Sequence, residues 1–229
     1  MAIKNLTNIN IYNTELNTQK PLLHAWKDSI IRYCRLQEHD KNPWYYGERA
    51  NISILAGAAW TLPEWAAIEE FATFKKNGKK EKNGRCDLYV RTKDKSFAFE
   101  AKHVWQGLST GGKRRIASGR QTATQKGMIS AWNDAGTLQV FEGDMRLTAT
   151  FVVPKISARK VKPSREEIKI IIEKWQSCES FKFGQRSPDA VAHVYPEDGD
   201  GFLFNGTQCF YPGVTLVIYR RQKAAKGIL

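Results

Sequence analysis

The stretch that most constrains this chain runs Gly84-Arg85-Cys86-Asp87-Leu88-Tyr89-Val90-Arg91, then Thr92-Lys93-Asp94-Lys95, then Ser96-Phe97-Ala98-Phe99-Glu100-Ala101-Lys102. Apolar residues alternate on both sides of a short polar break, which predicts two strands, Arg85 to Arg91 and Ser96 to Trp105, joined by a tight turn at Lys93-Asp94. That turn sets the pairing: Val90 opposes Phe97, Leu88 opposes Phe99 and Cys86 opposes Ala101 on one face. Asp87 then opposes Glu100, and Arg85 opposes Lys102, on the other. Two carboxylates directly opposed, with Cβ atoms roughly 5 Å apart, repel each other and do not belong in a purely structural hairpin. A divalent cation between them removes the penalty, and Lys102 stands two residues along on the same face.

The remainder predicts one α/β domain. Its 229 residues are 41% hydrophobic, with seven Trp, eleven Phe and eight Tyr, which excludes a wholly disordered chain. Residues 1–20 are polar and read as irregular or a short edge strand. Helices are expected from Leu22 to about Gln37, from Trp44 to Trp60, from Pro63 to Phe74 and from Lys113 to Asn133, the last weakened by Gly119 and Gly127. Lys75 to Asn83 reads as a charged loop. Met145 to Val153 and Val214 to Arg220 read as strands, and Asn205-Gly206 as a hairpin turn between Phe202-Leu203-Phe204 and Thr207 to Phe210. Ser164-Arg165-Glu166-Glu167 is a capping box opening a helix through Trp175. No apolar run approaches the roughly 20 residues of a membrane span. The N-terminus lacks a basic head and apolar core, and Cys34, Cys86, Cys178 and Cys209 are widely spaced. A cytoplasmic protein with reduced thiols is the expectation.

Charge points to a polyanionic partner. Thirty-six Lys and Arg stand against twenty-three Asp and Glu, a net charge of +13. No acid occurs from Ala101 to Asn133, while Lys102, Lys113, Arg114, Arg115, Arg120 and Lys126 fall inside. Lys155 to Arg165 is also acid-free and basic, and Lys75 to Arg85 holds a single acid, Glu81. Any one such run is commonly a solvated face; three around one carboxylate pair are harder to dismiss, and charge alone leaves a membrane surface and nucleic acid both open as the partner.

Asp87 followed by Glu100-Ala101-Lys102 on adjacent strands resembles the PD-(D/E)xK nuclease superfamily. The order helix, Asp strand, Glu-x-Lys strand, helix, strand over roughly Trp44 to Pro154 is similar to that family's core. The resemblance implies an α/β (α+β) fold with a restriction-endonuclease-like core: a central mixed sheet flanked by helices, with extra N-terminal helices (1–43) and a C-terminal helix, strands and hairpin (155–229). It implies a Mg²⁺-dependent (endo)deoxyribonuclease, with Mn²⁺ substituting, in prokaryotic or phage defence or in repair; endo- and exonuclease action both stay open. Asp87, Glu100 and the Ala101 carbonyl would hold the metal. Glu48 on the upstream helix would bind it directly or through water, with Glu69 and Glu70 as competitors for that role, and Lys102 would act on water and phosphate.

Lys113, Arg114, Arg115 and Arg120 would hold backbone phosphates of the nucleic acid, DNA in preference to RNA. Gln121 and Gln125 are candidates for orienting substrate or water, with plain surface-helix residues as the alternative. Gly107 to Lys113 matches G-x4-G-K, but Arg114 stands where a P-loop needs Ser or Thr, so a Gly-rich loop over a nucleic-acid backbone accounts for it better. Asp198-Gly199-Asp200-Gly201 lacks a later calcium-binding Glu and reads as a turn. Trp44, Tyr45 and Tyr46 offer base stacking or packing. His103 is expected to be packed. A homodimer, a subunit of a larger complex, and a catalytically silent nucleic-acid-binding or assembly subunit all stay open.

Overall fold

The architecture comes from a computed structural model that describes residues 6–77, 80–108, 121–139, 145–158, 162–176, 178–196, 203–204 and 208–221. The chain begins with β1 (Asn8–Ile11), a 3-10 turn over Thr14–Gln19 and α1 (Lys20–Leu36). A second 3-10 turn, Pro43–Tyr46, precedes α2 (Glu48–Trp60). Three strands follow, β2 (Ala66–Asn77), β3 (Lys80–Arg91) and β4 (Ser96–Leu108). Next come α3 (Ala123–Thr137), β5 (Met145–Ser157) and α4 (Arg165–Trp175). The chain closes with β6 (Ala190–Val194), β7 (Leu203–Phe204), β8 (Cys209–Phe210) and β9 (Val214–Arg221). Among the described residues no helix is long and apolar enough to cross a membrane.

One mixed sheet carries the order β1-β6-β9-β5-β4-β3-β2, with β7 and β8 attached at β5. β4 and β5 run parallel, with α3 in the crossover between them, and the other pairs are antiparallel. β6 and β9 bring the C-terminal segment into the sheet, and β1 closes its edge. α1 and α2 cover one face, where Trp26, Ile30, Leu55, Phe97, Phe99 and Phe151 form the main core. α3 and α4 cover the other. There Met128 packs with Val152, Val217 and Tyr219, and Ile168 and Ile172 pack with Ile156 and Phe210.

Four expectations fail in ways that matter for the site. The segment expected as a helix from Pro63 to Phe74 is β2 from Ala66 onward, and the described residues of the loop expected from Lys75 to Asn83 form the far end of a long β2–β3 ribbon. Ala, Glu and a first-turn Pro favour a helix locally, but eleven cross-strand pairs with β3 prevail. The helix expected from Trp44 to Trp60 is broken at Gly47, whose φ of 92° and ψ of −162° suit glycine. Of the helix expected from Lys113 to Asn133, residues 113–120 lie outside the described residues; α3 begins at Ala123, where Thr122 and Gln125 form a capping box, so 121–122 are not helical. The Ser164–Glu167 capping box opens α4 as expected, and β7 pairs with β8 as a hairpin. Residues 205–207 of its turn, and the 198–201 turn, lie outside the described residues.

Gly127 has a role that helix propensity hides. A Cβ built there would lie 2.2 Å from Val104 Cγ2 on β4, so glycine lets α3 settle directly on the strand that carries Glu100 and Lys102. Gly127→Ala should therefore destabilise the fold by about 1–3 kcal/mol through overpacking, although alanine is the better helix former by ~1 kcal/mol. Urea unfolding of Gly127→Ala, alone and with Val104→Ala, checks this. The second change should recover most of the loss.

Candidate active site

The hairpin register is the expected one where β3 and β4 pair: Leu88 opposes Phe99, Tyr89 opposes Ala98 and Val90 opposes Phe97. The ladder then stops. In the neighbouring β2–β3 ladder the Glu70 and Asp87 positions are skipped, and Glu70 takes a φ of 52°. Before this point Ala67 and Leu88 pack on the α2 side; beyond it Phe71 and Cys86 pack with Ala98 and Leu138 on the α3 side. The ribbon turns over at Asp87 and leaves β4.

This departure corrects the expected pairing. Asp87 does not lie in register opposite Glu100: its Oδ2 accepts the Ala101 N–H at 2.6 Å. Cys86 joins the Glu100 side of the sheet rather than the apolar face opposite Ala101. Arg85 pairs with Glu70 at 3.4 Å and Lys102 with Asp134 at 2.9 Å, so these two do not face each other.

The next open amide of β4 is also taken by a carboxylate. Glu48 Oε2 accepts the His103 N–H at 3.1 Å. Glu48 is the first residue of α2, directly after Gly47, where an acidic side chain also suits the helix dipole. Asn51 fixes that entry, its side chain donating to the Gly47 carbonyl at 2.7 Å. The 3-10 turn before it is anchored by buried Trp44, whose indole donates to the Tyr211 carbonyl at 2.9 Å. His103 Nε2 meets the Trp44 carbonyl at 3.1 Å, and burial lowers its pKa, as a packed imidazole requires. Tyr45 packs edge-on against Trp105 and Tyr211, and Tyr46 is exposed.

Glu100 is buried, 2% exposed, and its Oε1 lies 2.7 Å from Lys75 Nζ. Burial pushes its pKa up to about 7; the Lys75 ammonium opposes this and the Asp87 charge adds to it. Glu48 is likewise raised, by burial and by Asp87, against the pull of Lys102. Burial alone would lower Lys102, but Asp134, Glu48 and Asp87 outweigh it and hold the ammonium above its ordinary value. Glu48, Asp87, Glu100 and Lys102 thus share one field, as the sequence expected. Lys75 and Asp134 complete it unforeseen.

The remaining candidates separate. Glu69 and Glu70 lie on β2 rather than on a helix; Glu69 accepts from Ser53 at 3.0 Å and Glu70 pairs with Arg49 at 3.6 Å. Gln125 is spent on structure: its side chain accepts the Thr122 N–H at 2.9 Å and donates to the Lys182 carbonyl at 3.2 Å. Gln121 is exposed just before α3. Lys113, Arg114, Arg115 and Arg120 lie outside the described residues, as does most of the Gly107–Lys113 loop.

Among the described residues no three His, Cys, Asp or Glu side chains form a ready-made metal cage. The donor chemistry nevertheless fits Mg²⁺, which is commonly held by one or two carboxylates and keeps its waters. Two hard carboxylates, Asp87 and Glu100, flank Ala101, and a strand residue's carbonyl lies on the same edge as its N–H. Raised carboxylates are also what a cation would relieve. Comparison with known protein families, with curated proteins and with solved structures finds no match.

The Glu100 shift sets a pH dependence. A folded pKa near 7 against an ordinary 4.5 means that the folded state holds this proton more tightly. Its contribution is complete below pH 4.5 and is lost as pH rises through 7, by up to about 3 kcal/mol. Urea midpoints should fall between acidic and mildly basic pH, and Glu100→Gln should flatten that fall. Mg²⁺ should raise the midpoint on the basic side and do little on the acidic side.

Proposed function

We propose that this chain is a Mg²⁺-dependent nuclease that hydrolyses phosphodiester bonds, DNA in preference to RNA, on a restriction-endonuclease-like core. The observation that carries this reading is the pair of carboxylates seated on the open β4 edge, Asp87 on Ala101 and Glu48 on His103, beside buried Glu100 and the Lys102 ammonium. Asp87, Glu100 and the Ala101 carbonyl would hold the metal, with Glu48 binding it directly or through water. When bound, Mg²⁺ supplies acidification of water and neutralisation of phosphate charge.

The chain's own groups do the rest. Lys102 presents a fixed positive charge toward the attacked phosphate and the attacking water, and Asp134 orients it. Lys75 balances Glu100 from the β2 side and has to give way for the carboxylate to bind a cation. The net charge of +13 supports a polyanionic substrate.

A second reading is a catalytically silent nucleic-acid-binding or assembly subunit that retains the fold. It is favoured by the same two ion pairs, Lys75–Glu100 and Lys102–Asp134, taken as a finished internal network. Plasmid and linear DNA incubated with Mg²⁺ separate the two. Cleavage that vanishes in chelator and falls by at least about 10³-fold in Glu100→Ala or Lys102→Ala supports the nuclease; binding without metal-dependent cleavage in the wild type supports the silent subunit.

Glu48→Gln should cut cleavage about 10- to 100-fold with DNA affinity unchanged, whereas Glu69→Gln and Glu70→Gln should stay near wild type. Single-turnover rates and binding isotherms measured side by side check this ranking. A larger loss at Glu69 or Glu70 would move the third acidic role to β2.

A further inference from the structure

On the same sheet face as Glu100, but on the opposite flank of α3, lies a cleft of about 360 Å³ lined by Trp132, Arg186, Ser187, Tyr219 and Arg221 among others. Arg221 is the last residue of β9 and pairs across the sheet with Arg146 of β5, which pairs with Ala98 of β4. Two strand spacings and two residues of rise place it roughly 12 Å from Glu100 at the Cα level.

The cleft is built around one indole. The guanidinium carbons of Arg186 and Arg221 each lie 4.3 Å from the centroid of a Trp132 ring. Trp132 is itself held edge-on by Phe183 and Tyr219. Each cation–π contact holds its guanidinium against the ring, but the two like charges oppose each other. Burial and the Arg186 charge both lower the Arg221 pKa.

Among the described residues no carboxylate forms an ion pair with Arg186 or Arg221. Asp189 lines the cleft, but its two oxygens accept from Asn13 Nδ2 and from the Arg220 N–H, each at 2.7 Å. Glu15 pairs with Arg220. A structural duty as the C-terminal cap of α3 is already filled by Arg146, which donates to the Leu138 carbonyl at 3.0 Å. Two planar guanidiniums that line one polar cleft and have no carboxylate partner among the described residues match the oxygens of a phosphate.

We propose that the cleft formed by Trp132, Arg186 and Arg221 binds a phosphate group. The indole fixes the two guanidiniums in advance, so little side-chain entropy is lost when the anion arrives. Ser187 and Gln185 stand at the same cleft as further donors. The phosphate has two sources, the backbone of a nucleic-acid strand or a free phosphate compound, and the cleft chemistry is the same for both. The proposal does not depend on the metal site.

Isothermal titration of the full chain in chelator, where no metal-dependent cleavage can occur, tests it with two probes, a short oligothymidylate and inorganic pyrophosphate. Wild type, Arg186→Gln, Arg221→Gln and the double variant are compared at several salt concentrations. If backbone phosphates bind here, the double variant weakens oligothymidylate and flattens its log–log salt slope by about 1.4, two contacts at roughly 0.7 each. If a free phosphate compound binds here, the double variant weakens pyrophosphate at least about tenfold and leaves oligothymidylate unchanged. Unchanged affinity for both probes, or no binding of either by wild type, overturns the proposal. Arg186 is exposed, so Arg186→Gln keeps the test decisive if changes at Arg221 disturb β9: wild-type binding of both probes by that folded variant also overturns it.

Discussion

The architecture of this site depends on two backbone amides, the N–H groups of Ala101 and His103 on β4. They lose their ladder when the β2–β3 ribbon turns over at Asp87 and leaves the strand. An unpaired buried N–H costs roughly 1–3 kcal/mol, so something must accept from both. Asp87 and Glu48 do so. The fold thereby brings one carboxylate from β3 and one from the start of α2 to the same edge, next to Glu100. Gly47 delivers Glu48 there, and Gly127 lets α3 lie close enough for Asp134 to reach Lys102.

Electrostatics gives the arrangement its tension. Glu100 is almost completely buried, and both it and Glu48 are raised by burial and by the Asp87 charge. Lys75 and Lys102 compensate, each already committed to one acid. A cluster of this kind gains more from a small, hard cation than from another ammonium, because the cation meets several oxygens at once. These carboxylates and ammoniums are also the groups a phosphodiesterase would use. Arg186 and Arg221 beside Trp132 pose the opposite problem: among the described residues no carboxylate forms an ion pair with either.

The sequence revealed what local pattern controls. Period-two alternation and a short polar turn placed Leu88 against Phe99, and so put Asp87, Glu100 and Lys102 within one neighbourhood. The Ser164 capping box and the final strand were equally local. The misses were long-range. Ala66 to Phe74 carries helix formers behind Pro63, and only pairing with β3 makes it a strand, so local pattern leaves Lys75 in a loop and gives no sign of its Glu100 partner. The ladder break at Asp87 comes from the ribbon turning over, which no alternation pattern records. Asp134 did leave a trace: it is the residue that ends the acid-free interval beginning at Ala101. Helix propensity makes Gly127 a weakness of its helix, because the reason for glycine lies on another element, at Val104.

The central claim is that Asp87 and Glu100 share a divalent cation. Anomalous diffraction from a crystal soaked with Mn²⁺ tests it most directly. The account predicts one strong peak between the Asp87 and Glu100 carboxylates, next to the Ala101 carbonyl, with the Lys75 ammonium displaced from Glu100. A crystal saturated with Mn²⁺ that shows no peak there, with Lys75 still seated on Glu100, would contradict it.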